Sequence, residues 1–188
     1  MKLTIFFAAL ALAPAYSQPA PMKPAATTAS ARPAATIGNI EVSPIPLQTL
    51  RSVEKEMDTR IATTGGNMPC GVLSPSRGVY VTGLGAVFTA EVELAPTPGG
   101  MGIFQTIGPE QKAKYHKDKL TNLPLLEKTL SDMVLSLVAS PTLKLSETDQ
   151  VVVAARLVYR AWEDTNGMPG QIVAHLDRRG NAVKVEVQ

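Results

Sequence analysis

Cysteine is almost missing from this chain: Cys70 is the only one in 188 residues. A disulfide within the chain needs a pair, so the fold must stand on its hydrophobic core. A lone cysteine leaves a buried or tolerated residue, a free thiol or an intermolecular bridge, and the first is expected. Histidine is also scarce. His116 and His175 are the only two, and neither sits in a ligand pattern such as H-E-x-x-H. Both are expected on the surface, and no metal or cofactor is implied. An excess of one charge is absent too, with 18 basic against 16 acidic residues. So small an imbalance gives no field suited to nucleic acid. Internal repeats are missing.

Long apolar runs are missing after the N-terminus. The run at the start, Leu3 to Ala13, is shorter than the about 20 residues of a spanning helix. Lys2 precedes it, and Ala15 and Ser17 occupy the −3 and −1 positions of a cut after Ser17. This is the layout of a secretory signal peptide over residues 1–17. No cysteine stands at the cut to carry a lipid. The expected mature chain begins at Gln18, has no integral membrane segment, and is periplasmic or secreted. Residues 18–39 are rich in proline and alanine. Such a stretch cannot pack a core and is expected to be a disordered, semi-stiff linker.

From residue 40 to 188 the composition is that of one folded domain. Leu47, Leu50, Val53, Met57 and Ile61 recur at steps of three and four, which predicts an amphipathic helix ending at Gly65-Gly66. Asn67 to Arg77 is turn-rich. Gly78 to Thr82 has strand character. After Gly85 the pattern alternates: Ala86, Phe88, Ala90, Val92 and Leu94 face a core, and Val87, Thr89, Glu91 and Glu93 face water. Residues 95–102 are expected to be a loop. Lys112 to Lys119 is expected as an exposed, charged helix or turn. Leu123 to Leu137 marks a second helix, with Pro124 in its first turn and Pro141 past its end. Val151 to Arg160 is dense in β-branched residues and suits a central strand. Gln171 to Leu176 and Ala182 to Val187 read as two more strands, joined through "DRRGN" as a hairpin. The order predicts an α+β domain, with two main helices packed on one face of a mostly antiparallel sheet of about four or five strands.

Few motifs carry chemistry. "GLG" at Gly83 to Gly85 lacks the third glycine of a dinucleotide fingerprint and precedes a strand, not a helix. It marks either a tight hairpin or a bulge. Ser52 and Lys55 match S-x-x-K, but the companion motifs of those hydrolases are missing. Glu91 and Glu93 share a strand face about 7 Å apart and are expected to be solvated. Adjacent Glu163 and Asp164 point apart if extended. "DTNG" at Asp164 to Gly167 lacks the rest of a calcium loop and reads as a turn. The lysines at 112, 114, 117 and 119 are expected on a wet face.

One segment is denser. Residues 156–171 hold Arg156, Tyr159, Arg160, Trp162, Glu163 and Asp164, and Trp162 is the sole tryptophan. Aromatics with arginine are common interface anchors. These six residues are the candidate partner-binding site. The expected function is a non-enzymatic binding module whose partner is another protein or a second copy. The alternatives are an envelope-directed hydrolase with a site assembled from distant residues, and a carrier of a small apolar ligand.

Overall fold

A computed structural model describes residues 44–96, 107–177 and 182–188. The segments expected as signal peptide and linker lie outside these residues, as do 97–106 and 178–181. The described chain belongs to one compact unit, Ile40–Gln188. Its elements are α1 (Leu47–Ala62), β1 (Gly71–Val81), β2 (Gly85–Glu93), α2 (Pro109–Ala139), β3 (Gln150–Leu157), β4 (Gln171–Asp177) and β5 (Lys184–Val187), with a short 3-10 turn at Pro141–Leu143.

The five strands form one sheet in sequence order, β1-β2-β3-β4-β5. Three of the neighbouring pairs are antiparallel. The β2–β3 pair is parallel because α2 carries the chain back across the sheet. This is the expected α+β fold with its mostly antiparallel sheet. Register explains the core. Ala86, Phe88, Ala90 and Val92 align with Val151, Val153, Ala155 and Leu157. The first three of these β3 residues, Val151, Val153 and Ala155, align in turn with Leu176, Ala174 and Ile172. All of these are buried, and so are Leu50, Val53, Met57 and Ile61 of α1 and Leu126, Leu130, Met133, Val134 and Leu137 of α2. One sheet face therefore meets both helices, and alternation turns the other face outward.

Several expectations change in detail. Leu47 continues the apolar spacing but lies exposed in the first turn of α1. The turn-rich stretch before Arg77 is half strand, because β1 starts at Gly71. Pro75 fits there since β1 is an edge strand with irregular register between Val72 and Arg77. The charged run and the leucine-rich run form one helix, α2, with Pro124 inside it. Both halves bury one stripe, from Tyr115, Lys119 and Asn122 on to Leu126 and Leu130, and this offsets the amide that proline removes. β3 ends at Leu157 rather than Arg160, and β5 starts at Lys184 rather than Ala182.

The glycines after Val81 belong to a hairpin. Val81 pairs with Gly85, and the Leu84 amide donates to the Val81 carbonyl at 3.0 Å. Gly83 and Gly85 have φ of 82° and 123°, where side-chain-bearing residues are strained. A side chain on Gly85 would also meet the backbone of Gln150 on β3.

Candidate functional site

The segment after β3 leaves the sheet as a loop that closes on itself. The Leu157 amide donates to the Gly170 carbonyl at 2.9 Å, and the Tyr159 hydroxyl donates to the Pro169 carbonyl at 2.6 Å. Asp164 Oδ1 accepts from the Asn166 amide at 3.0 Å, and Gly167 takes φ 71°. This is the expected turn at "DTNG", made by an aspartate hydrogen-bonding two residues ahead.

The loop is docked on the first half of α2. Lys119 Nζ lies 2.5 Å from Glu163 Oε2, with side chains only 3% and 5% exposed. Lys119 also sits 5.2 Å from the centre of the Tyr159 ring, within range of cation–π attraction. Trp162 meets Tyr115 edge-on, with ring centres 5.8 Å apart. His116 Nδ1 contacts the Asp164 carbonyl oxygen at 3.1 Å. Lys119 and His116 are thus engaged by the loop rather than merely solvated. Burial and the neighbouring Glu163 carboxylate push the Tyr159 phenol up to about 12.

The six candidate residues therefore divide. Tyr159 and Glu163 turn inward, Trp162 packs half-buried on α2, and Asp164 shapes the turn. Arg160 stays exposed and reaches Glu93 at 3.4 Å. That pairing corrects the expectation for Glu93, which is 2% exposed instead of wet. Arg156 does not join the loop. It lies on the outward sheet face, 2.9 Å from Glu91. The loop's partners Tyr115, His116 and Lys119 were not among the candidates. The signal for Tyr115 and Lys119 is the 115, 119, 122, 126 spacing, which carries the buried stripe of α2 back through the charged run, and His116 has no such signal.

The outward face is a second feature. Val79, Val87 and Val152 align across β1, β2 and β3, and Arg77, Thr89, Ala154 and Val173 form the next row. A trough of about 410 Å³ lies across this face, lined by Ser74, Arg77, Thr89, Glu91, Ala154 and Arg156 among others. Small side chains make its floor and two arginines stand beside it. Its signal in sequence is the second parity of the alternation in β2 and β3.

The remaining candidates are occupied structurally. The Ser52 hydroxyl donates to the Gln48 carbonyl at 3.0 Å, within α1. Glu91 and Glu93 each face an arginine rather than one another. Cys70 is buried, and loss of solvent pushes its thiol up to about 11 from an ordinary 9.0, against a smaller opposing effect of a backbone hydrogen bond. His175 Nε2 lies 3.6 Å from Glu186 Oε1. Among the described residues no helix is long and apolar enough to cross a membrane. The chain matches no protein-family model, no curated protein and no solved structure.

Proposed function

We propose that this chain is an exported, non-enzymatic interaction domain that receives an extended acidic segment of another protein. The outward face of the sheet, on which no helix packs among the described residues, carries this reading. It sets an apolar row, Val79, Val87 and Val152, beside the row that holds Arg77, with Arg156 and its partner Glu91 one row further on. Among the described residues no carboxylate pairs with Arg77. A partner with carboxylates matches that charge, and small floor residues leave room for its backbone. The free edge of β1 is less suited to it. Carboxylates of α1 already accept from two edge amides, Glu54 from Gly78 at 2.8 Å and Asp58 from Ser76 at 2.9 Å. Export rests on the N-terminal charge, apolar run and small residues before Gln18.

Chemistry at the polar groups supports a binding role. The Cys70 thiol is held away from the thiolate that a nucleophile needs. The Tyr159 hydroxyl and Glu163 are engaged in holding the loop.

The test is retention of a partner from an envelope extract by the mature chain. Arg77→Glu with Arg156→Glu should lower retention about tenfold or more, the loss that follows from ~1.4 kcal/mol. Lys128→Glu, on the exposed side of α2, should leave it unchanged. Equal retention by all three proteins would overturn the reading.

A further inference from the structure

The two edges of the sheet are finished differently. On β1, side chains of α1 cap the Ser76 and Gly78 amides. On the other side β5 is the last strand of the sheet, and among the described residues no further strand pairs with it. The Gln171 and Gln188 backbones exchange both hydrogen bonds, at 3.1 Å each. Antiparallel pairs alternate between bonded and non-bonded positions. The same bonded state therefore recurs at Val173 with Glu186 and at His175 with Lys184. The amides and carbonyls of Val183, Val185 and Val187 must then point away from β4, toward the free edge. Such an edge is a template for another strand.

The residues on this edge also specify which strand. Residues 183–187 read Val-Lys-Val-Glu-Val. An antiparallel copy centred on Val185 sets Val185 against itself, Val183 against Val187, and Lys184 against Glu186 at both ends. The three valine pairs are those whose backbone groups face outward, so each pair can exchange both hydrogen bonds. Lys184 and Glu186 align with His175 and Val173 on the outward sheet face, where opposite charges across strands attract. Val185 and Val187 align with Ala174 and Ile172 on the helix side. They are 38% and 48% exposed there, leaving apolar surface for a neighbour to cover.

We infer that a second copy of this chain pairs through β5, two-fold about Val185, and extends the sheet across both protomers. A C2 interface must be self-complementary, and this strand is. The contact is short, so the dimer belongs with weak interfaces burying under about 1,200 Å² and forms in a concentration-dependent way. It is independent of the partner proposed above, because Arg77 and Arg156 lie on other strands.

Sedimentation equilibrium of the mature chain over a wide concentration series tests this. The wild type should pass from monomer to dimer mass. Lys184→Glu and Glu186→Lys each set like charges opposite at both ends, and should weaken pairing about tenfold or more. Mixing these two variants restores opposite charges at both ends and should give a heterodimer. None of this should change retention of the Arg77-dependent partner. A wild-type chain that stays monomeric throughout overturns the proposal. So does a dimer indifferent to both substitutions, or a mixture that fails to associate.

Discussion

Lys119 carries its charge to a site where water scarcely reaches, and Glu163 meets it from a loop 44 residues further on. Removing two ions from water is costly, and their mutual attraction offsets that cost only while both are present. Glu163 Oε1 has no hydrogen-bond partner among the described residues, so the carboxylate depends chiefly on the lysine. Lys119→Ala should therefore cost about 3–5 kcal/mol. Lys119→Met with Glu163→Leu should recover most of that loss, because neither charge is then stranded. Urea unfolding of the two proteins measures both values. A single variant as stable as the wild type would contradict the pairing. Trp162 belongs to the same latch, through its edge-on contact with Tyr115.

At the scale of elements, the β1–β2 hairpin sets the register of the whole sheet. Its loop brings Val81 opposite Gly85, and Gly85 in turn lies beside Gln150 of β3. Gly83 has open space around its α-carbon, and Gly85 does not. Gly83→Ala should cost only the strain of a positive φ, about 1–2 kcal/mol. Gly85→Ala adds a collision with backbone and should cost clearly more, read as a larger fall in Tm. Equal falls would mean that β2 and β3 are not in this register. Elements whose periodicity is local were legible in the sequence. The α1 stripe, the β2 alternation and the terminal strands all follow from spacing alone. Features fixed by distant partners were not legible. Pro124 resembles a helix start until burial on both sides of it is known. Pro75 resembles a turn until β1 is known to be an edge. Lys119 and Glu93 resemble wet residues until Glu163 and Arg160 are folded against them.

For the molecule as a whole, the described helices cover one side of the sheet, and among the described residues none covers the other. The dense segment at 156–171 divides across this boundary. Its aromatic residues and Glu163 fasten the loop to α2, and its two ends, Arg156 and Gln171, line the trough. Aromatic and arginine content marked the right stretch of chain, yet most of that content has a structural use. The bare face was the less visible feature, because it is spread over β1, β2 and β3 and its residues are unremarkable singly. The two proposals also part at this scale, one across the sheet and one along its β5 edge.

Site-specific photo-crosslinking tests the central claim most directly. A photoreactive residue at Val79 stands on the outward face, and one at Leu135 stands on the exposed side of α2. Irradiation in the native envelope fraction should join the Val79 probe to another protein, and the Leu135 probe should stay uncoupled. Coupling from Leu135 alone, or coupling from Val79 only to a second copy of the chain, would contradict the claim.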